Sequence, residues 1–398
     1  MAADERLELG DLGMDEGGDL LVRRALRVMA PGATLEIVGV APALEVHVRA
    51  FARSEGHAFE PSPAGLHVRR GAAVDARHVG AVRAGWPSPR DEGAVSEHPD
   101  PRWGLAARGA LVEAGAPSYA FSLGRKDEVW ADEAAGLYAQ AAAAQWDPAT
   151  AIPWATPFDN APEVEDAIVQ IMTYLIENET AALLVPARFL ARVHPHFREV
   201  MQLLAIQAAD EARHIEVFTR RALLRRTELG LSTAGGQSSL QTLIDEPDFA
   251  LASFLLSVLG EGTFLSLLWF IHAHAPDPVT REVMRLAAQD EARHVAFGLA
   301  HLGRHLGRDP SLFDRLAAAV ERRHDALRHT AGLNAEVWDA LLVVAAGSLS
   351  PDAIRRGHLA VIGLVTEMDD RRRGRLVRLG FPRARAEALS SLHTRNFM

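Results

Sequence analysis

The 398-residue chain contains no cysteine. Disulfides, thiolate zinc sites, iron–sulfur clusters and cysteine nucleophiles are therefore excluded, and any metal ion must be bound by His, Asp or Glu. Positive charge is also scarce, because 42 Lys and Arg face 52 Asp and Glu, which gives a formal charge of −10. No Lys/Arg block offers the footprint that phosphate neutralisation needs, so we expect no nucleic-acid partner.

The N-terminus lacks the basic start and apolar core of a secretory signal, and we expect a cytoplasmic protein. One apolar run, 250–271, is long enough to cross a bilayer. Glu261 lies at its middle, and a carboxylate at the bilayer centre costs at least a few kcal/mol. We therefore predict a buried helix of a soluble bundle at this place, and no membrane partner.

Apolar residues make up 48% of the chain, enough for two or three folded domains, and residues 1–72 are predicted to be a small α/β domain. Segments of strand and helix character alternate there in the order β-α-β-α-β-β, at 7–9, 19–29, 34–40, 42–54, 57–60 and 66–70. This order resembles the TusA-like sulfur carriers, whose second helix ends at a Gly-His step, here Gly56-His57. Those carriers hold sulfur on a cysteine where this chain has Met14. The resemblance therefore implies a domain that has lost sulfur carriage and keeps a docking or structural role.

Residues 73–127 are rich in Gly and Pro and are predicted to be an extended connection. A helical domain then covers 128–310, and 311–398 are expected to add helices that cover it or a dimer partner. The predicted helices of this domain are about 128–146, 162–193, 195–227, 245–274 and 277–306, with a long connection around 234–239. The last four are joined by short, long and short loops, which is one topology of a four-helix bundle.

A five-residue motif occurs twice in these helices. Asp210-Glu211-Ala212-Arg213-His214 is repeated as Asp290-Glu291-Ala292-Arg293-His294. A Glu and a His three residues apart lie on one helix face, so each motif can offer an oxygen and a nitrogen to one metal ion. A single Glu-x-x-His is common on solvated helices, whereas its duplication favours a metal site.

The other two helices each supply one inward glutamate. Glu261 is framed by apolar residues at helical spacing, and Glu179 has apolar residues at offsets where Glu177 meets mostly polar ones. With the two motifs, four carboxylates and two imidazoles would converge. Burying four carboxylates without cations would cost many kcal/mol, which favours metal ions over buried salt bridges. This ligand mixture suits iron or manganese.

Over about 128–306 the sequence resembles the ferritin-like diiron-carboxylate superfamily. The Asp-Glu-x-Arg-His form of both motifs is most similar to the hydroxylase components of bacterial diiron monooxygenases and to the radical-generating subunit of ribonucleotide reductase. The predicted fold class is therefore mainly α: a ferritin-like four-helix bundle with additional helices, preceded by the small α/β domain.

The resemblance also implies how the six residues divide between two iron ions, with Glu211 and Glu291 bridging them. One iron would be bound by Glu179, Glu211 and His214, and the other by Glu261, Glu291 and His294. The aspartate of each motif would accept the ring N–H of the histidine in the other motif, which orients the imidazole. These pairs are Asp290 with His214 and Asp210 with His294, with Arg213 and Arg293 neutralising the aspartates. The alternative for the aspartates and arginines is an exposed ion pair.

Departures from the relatives narrow the function. Phe218 stands where the reductase subunit has its radical tyrosine, and Ala287 stands where diiron arylamine N-oxygenases have an additional histidine. Both of these activities are therefore disfavoured. Glycines 260 and 262 flank Glu261 and indicate either free volume beside the metals or a close helix contact. Among the remaining histidines, His272, His274 and His301 are interpreted as surface residues.

The sequence thus predicts an oxygen-activating diiron enzyme that oxidises a small organic substrate with O2. Its cofactor would be two Fe ions, with Mn or a mixed Mn/Fe pair as alternatives, and a separate electron donor and a homodimer are expected. A non-enzymatic metal-storage or scaffold protein is the alternative function, and a docking module with a merely structural bundle is a third. About 127 residues precede the bundle and about 92 follow it, which would obstruct the tiling of a storage shell.

Overall fold

The computed structural model describes residues 3–72, 80–86, 95–328 and 335–392. It divides into two compact units, Met1–Ser88 with Ala106–Ser118, and Pro89–Leu105 with Tyr119–Met398. The predicted connection 73–127 contributes to both units, and its residues 73–79 and 87–94 lie outside the described part. The predicted domain boundaries therefore stay predictions.

The first unit begins with the predicted order of strands and helices, which are β1 (Glu5–Gly10), α1 (Gly18–Val28), β2 (Thr34–Gly39), α2 (Leu44–Ser54), β3 (Ala58–Ser62) and β4 (Gly65–Arg69). Two further short strands, β5 (Val82–Arg83) and β6 (Leu111–Val112), pair with each other in a second sheet. The first four strands form one sheet in the order β1-β2-β4-β3, with β1 parallel to β2 and the other pairs antiparallel. Val22, Ile37 and Val48 are fully buried in its core. The likeness to sulfur carriers is not tested by this topology and stays a prediction.

The second unit is almost entirely helical. Its helices are α3 (Lys126–Val129), α4 (Ala134–Ala143), α5 (Pro162–Leu190), α6 (Arg198–Ala222), α7 (Ala234–Ile244), α8 (Phe249–His274), α9 (Pro278–Arg308), α10 (Leu312–Leu327), α11 (Ala335–Ala346), α12 (Pro351–Arg378) and α13 (Arg383–Ser391). Helix α5 packs along α6, α8 packs along α9, and α6 contacts α9. The predicted fold class, a mainly α, ferritin-like fold with a small α/β unit, is confirmed.

Two predictions about the helices were wrong. The helix expected over 128–146 is two helices, because the backbone is extended at Trp130 and the Trp130 indole N–H donates to Asp132 at 2.9 Å. The connection expected around 234–239 contains α7, which begins after Thr233. The Thr233 hydroxyl accepts the N–H of Gly236, and this cap together with burial of the helix outweighs the cost of two glycines, about 1 kcal/mol each.

Two helices, α5 and α8, are long and apolar enough to cross a membrane by length and composition, and α11 with α12 would add a third if that bent pair counted as one span. The most apolar window of α8 is 83% buried inside the protein, and that of α5 is 67% buried. Helix α5 carries Glu179, and helix α8 carries Glu261.

Candidate metal centre

Four helices bring the six predicted ligands together. Glu179 comes from α5, Glu211 and His214 from α6, Glu261 from α8, and Glu291 and His294 from α9. All six side chains are buried, and none is more than 4% exposed. They form two groups in which the potential ligand atoms lie within 4.8 Å of one another: Glu179, Glu211, His214 and Glu291, and Glu211, Glu261, Glu291 and His294. Glu211 and Glu291 belong to both groups, as bridging ligands would.

Both imidazoles direct Nδ1 at carboxylates. His214 Nδ1 lies 3.3 Å from Glu211 Oε2, 3.4 Å from Glu291 Oε1 and 3.6 Å from Glu179 Oε2. His294 Nδ1 lies 3.0 Å from Glu211 Oε1 and 3.4 Å from Glu291 Oε2. Each imidazole therefore faces both bridging candidates, and the arrangement is nearly symmetric.

The cluster contains more buried acceptors than donors. Its buried atoms that lack a hydrogen-bond partner among the described residues are Glu179 Oε1, Glu261 Oε2, both carboxylate oxygens of Glu211 and of Glu291, and Nδ1 of His214 and of His294. Unsatisfied polar atoms at this depth cost free energy unless something binds them. Carboxylate oxygens with imidazole nitrogens are ligands for iron and manganese. The residues therefore fit a pair of metal ions, and the cluster can bind a dimetal cofactor.

Burial and repulsion between neighbouring carboxylates change the pKa values of acids in the cluster. Desolvation, followed by the charges of Glu211 and Glu291, raises the pKa of Glu179 well above its usual value. Desolvation and the charge of Glu291 do the same to the pKa of Glu261. Without bound metal, protons would thus reduce the negative charge, and metal binding would release them.

A cross-pairing of aspartates and histidines surrounds the cluster. His214 Nε2 lies 3.2 Å from Asp290 Oδ2, and His294 Nε2 lies 3.3 Å from Asp210 Oδ2. With the proton on Nε2 donated to the aspartate, Nδ1 presents its lone pair to the cluster. These pairs are those that the resemblance implied.

The two motif arginines neutralise the aspartates. Arg213 Nη2 lies 2.5 Å from Asp210 Oδ1 and 2.8 Å from Asp290 Oδ2. Arg293 pairs with Asp290 and lies 3.8 Å from Asp210. Both aspartate side chains are only 1% exposed, so the alternative of an exposed ion pair does not apply.

Three residues that were not predicted from the sequence contact this arrangement. Trp146 donates its indole N–H to Asp290 Oδ2 at 2.8 Å, and Gln145 donates to Asp210 Oδ1 at 2.8 Å. The third, Gln207, donates to Glu261 Oε1 at 3.0 Å. Position 207 is one helical turn before Glu211, so helical periodicity could have placed Gln207 on the inward face. Trp146 and Gln145 follow α4, and no local pattern indicates their contacts.

Two interpretations of individual residues can now be decided. The close-contact alternative holds at Gly262, where a Cβ atom would lie 2.5 Å from Arg375 Cζ. The surface interpretation of His301 was wrong, because its ring is fully buried beside Phe249 and Phe297, with centroids 4.9 and 5.8 Å away. His272 and His274 are half-buried.

A small cavity of about 20 Å³ lies beside the centre. Its lining consists of Val185, Pro186, Phe189, Leu204, Gln207, Phe249, Ser253, Leu256, Ser257 and Phe297. Gln207 connects this cavity to Glu261. The lining is mostly apolar and carries no charged side chain.

Comparison with known proteins finds distant structural likenesses. No family model matches the chain, and no curated protein matches it. A variant of an R2-like ligand-binding oxidase with an aerobically reconstituted Mn/Fe cofactor is 19% identical, with a TM-score of 0.46, over 62% of this chain and 94% of that one. A protein with aldehyde deformylating oxidase activity from Synechococcus is 18% identical, with a TM-score of 0.41, over 57% and 96%.

A third structure, an R2-like ligand-binding oxidase from Sulfolobus acidocaldarius, is 16% identical, with a TM-score of 0.40, over 63% of this chain and 93% of that one. Metal binding is inferred from the six buried side chains themselves and not from these likenesses. The helices have the form that the sequence resemblance predicted, and the assignment of the six residues as metal ligands stays a prediction.

Proposed function

We propose that this protein is an oxygen-dependent dimetal oxidoreductase that acts on a small organic substrate. The observation that supports the proposal is the pair of buried ligand groups that share Glu211 and Glu291. A redox-active pair of iron or manganese ions, when bound, would supply the electrons that reduce O2. A one-metal site or a structural zinc site needs neither six ligands nor two shared carboxylates.

The chain's own residues would bind and orient the metals, balance their charge and exclude water from them. Glu179 and Glu261 would each bind one of the two metals, while Asp210 and Asp290 fix the imidazoles through Nε2. Gln207 holds one oxygen of Glu261 and leaves the other without a partner. Burial of all these groups excludes bulk water, which would otherwise intercept a reactive oxidant.

The cavity beside Gln207 supports the choice of a small, uncharged molecule. A volume of about 20 Å³ holds about one water-sized or O2-sized molecule. Its lining contains no cation to bind a carboxylate or phosphate and offers Gln207, Ser253 and Ser257 as polar groups. The cavity therefore suits O2 or one end of an apolar substrate.

The protein would also need a source of electrons. Reduction of O2 at repeated turnovers consumes reducing equivalents, and we infer a separate electron donor. A homodimer in the cytoplasm, with no membrane or nucleic-acid partner, belongs to the same proposal. Non-enzymatic metal storage or scaffolding is the alternative function, since a bound dimetal pair alone does not require a substrate.

Metal analysis and oxygen consumption together test this proposal. Protein reconstituted with Fe(II) or with Mn(II) and Fe(II) without air should hold close to two metals per chain, and should consume O2 on exposure while keeping both metals over repeated reduction. Folded protein without metal would refute the centre. A large shell that accumulates many ferric ions per chain would favour storage instead.

A further inference from the structure

The segment of α8 that leads into the metal centre is not α-helical. Residues Phe254–Glu261 form a π-helix, which gives way to α-helix at Gly262. A π segment carries additional residues per turn and is costlier than α-helix. Because each residue of an α-helix turns by about 100°, a change of one residue in this segment would rotate Glu261 away from the other ligands. Contacts from outside the segment are therefore needed to stabilise its π-helical hydrogen bonding, here called the π register.

Arg375 of α12 contacts this segment on both sides of Glu261. Its Nε donates to the backbone carbonyl of Val258 at 2.7 Å, and its Nη2 lies 3.4 Å from the Thr263 hydroxyl. Thr263 in turn donates to the Leu259 carbonyl at 2.6 Å. One guanidinium thus binds a carbonyl three residues before Glu261 and, through Thr263, a second carbonyl of the π segment.

Gly262 makes this approach possible. The guanidinium lies over the helix at 262, where a Cβ atom would be 2.5 Å from Cζ and 2.9 Å from Nη2. Real Cβ atoms do not come this close to another side chain. The glycine after Glu261 is therefore explained by the side chain that covers it.

The charge of Arg375 is not neutralised by a carboxylate among the described residues. Among the described residues it makes no ion pair, and its bonds go to Val258 and Thr263. Burial, with the charges of Arg372 and Arg371, lowers the pKa of Arg375 to about 9, so the guanidinium remains charged at neutral pH. A half-buried cation without an acid is costly, and the backbone carbonyl of a π segment is an acceptor that can offset part of that cost.

We propose that Arg375 is a positioning residue for Glu261, holding the π-helical register that directs this carboxylate at the metal group of Glu211, Glu291 and His294. The inference rests on the proposed metal centre. It assigns the C-terminal helix α12 a part in metal binding, because Arg375 lies 114 positions beyond Glu261 in the chain and on a helix that contributes no ligand.

Metal stoichiometry and spectra of three variants test the proposal. Full-length wild type and the variants Arg375→Gln, Arg375→Lys and Gly262→Ala are titrated with Co(II), and bound metal is measured by elemental analysis and visible absorption. Wild type should bind two ions. Arg375→Gln should weaken the ion at Glu261 by at least tenfold and leave the ion at Glu179, Glu211 and His214 in place, so that the spectrum shows one site.

The other variants separate positioning from general stability. Arg375→Lys keeps one donor and should recover part of the second site, whereas Gly262→Ala displaces the guanidinium and should reproduce Arg375→Gln. The double variant Arg375→Gln with Gly262→Ala should bind the second ion no more weakly than either single variant, because both substitutions remove the same interaction. Arg371→Gln, an exposed position on the same helix, is the matched control and should bind two ions.

Each outcome decides a different question. If Arg375→Gln folds and binds both ions with wild-type affinity and spectrum, the inference is wrong. Equal weakening of both sites together with a lower Tm also overturns it, since that is a loss of stability alone. If Arg375→Gln does not fold, Gly262→Ala and Arg375→Lys give the same decision. Wild type that binds no Co(II), Fe(II) or Mn(II) would instead contradict the proposed function.

Discussion

Two buried charge clusters lie along the same helices, and they differ in how their carboxylates are balanced. Near the start of α5 and α9, Arg221 donates to Glu165 at 2.6 and 3.0 Å, to Asp277 at 2.7 Å and to Thr280 at 2.7 Å. Asn160 donates to both acids. In the six-residue cluster, eight buried oxygen and nitrogen atoms have no hydrogen-bond partner in the part of the chain that the structure describes. The first cluster is complete in itself, and the second is complete only with cations.

This difference separates a structural ion pair from a metal centre. Arg221 is fully buried, and although burial favours the neutral acid, the charge of Arg221 lowers the pKa of Asp277. In the six-residue cluster burial and like charges raise the pKa of Glu179 and Glu261, whereas for Glu211 burial favours the neutral acid but the charge of His294 lowers the pKa. A buried acid whose pKa is lowered has a cation beside it, and the two acids whose pKa is raised lack one.

Removing a shared ligand should have the largest effect. Glu211→Gln takes an anionic oxygen from both metal groups at once, so we expect metal content to fall from two ions per chain to none. His294 belongs to one group only, so His294→Ala should remove the ion of that group and leave one ion per chain. Elemental analysis and the metal-dependent rise in Tm are the measurements.

Glu177→Gln is the matched control, because Glu177 is half-buried on α5 two residues from Glu179 and outside both groups. It should keep both metals. Retention of two ions by Glu211→Gln would remove Glu211 from the ligand set and break the contrast between the clusters.

The second-largest effect is a loss of stability, which is expected at the cluster of Arg221, Glu165 and Asp277. Arg221→Met leaves Glu165 and Asp277 buried without their cation, which should lower the free energy of unfolding by about 3–5 kcal/mol. Chemical denaturation measures this loss. If the variant folds, it should still bind two metals, since the hydrogen bonds of Arg221 go to Glu165, Asp277 and Thr280 and not to the six ligands. Loss of metal without loss of stability would contradict the division into two clusters.

The third effect is on metal affinity. Asp210→Asn removes the charge that accepts from His294 Nε2 and pairs with Arg213, so we expect metal affinity to fall by about 10- to 100-fold. Asp210 belongs to the surroundings of the ligands, and both ions should still bind at saturating metal. Competition with a chelator of known affinity measures the change. Unaltered affinity would mean that the aspartates act only on folding.

The sequence could predict that these six side chains converge, because the evidence for it is local. Helical spacing places Glu211 beside His214, and the repeat places Glu291 beside His294, so neither needs knowledge of the rest of the fold. The inward direction of Glu179 and Glu261 follows from apolar neighbours at the same spacing.

The Arg221 cluster and the contact of Arg375 with the π segment could not be predicted in this way, because their evidence is not local. Glu165 and Asp277 stand at helix starts, where acids are common for reasons of helix dipole and capping. Only the packing of α5, α6 and α9 shows that both meet Arg221. Likewise Arg375 reaches Val258 from a distant helix, and one sequence without relatives contains no signal for such a contact. Long-range pairings therefore had to come from the structure.

The smallest expected effect concerns His301, a buried histidine that can be compared with the ligand candidate His214. His301 is fully buried on α9, neither ring nitrogen has a hydrogen-bond partner among the described residues, and burial together with the charge of His305 lowers its pKa to about 3. His214 is equally buried, and although burial alone would lower its pKa, the hydrogen bond to Asp290 and the charge of Glu179 raise it well above the usual value when no metal is bound. Partners, and not depth, decide which imidazole is protonated in the metal-free protein.

His301 should therefore make the fold sensitive to acid. Above about pH 6.5 the ring is neutral in both the folded and the unfolded chain, so it adds no pH dependence. Below that pH the unfolded chain takes up a proton that the folded protein refuses, and stability should fall by about 1.4 kcal/mol per pH unit until the pH approaches the folded-state pKa. His301→Leu should remove the contribution of this ring to the slope, which urea unfolding at several pH values between about 7 and 5 would show as a smaller slope in the variant. His358→Leu, at an exposed position, is the control that should keep the wild-type slope. An unchanged slope in His301→Leu would mean that the buried imidazole finds a proton acceptor, and partnered and unpartnered histidines would then no longer differ as the structure shows.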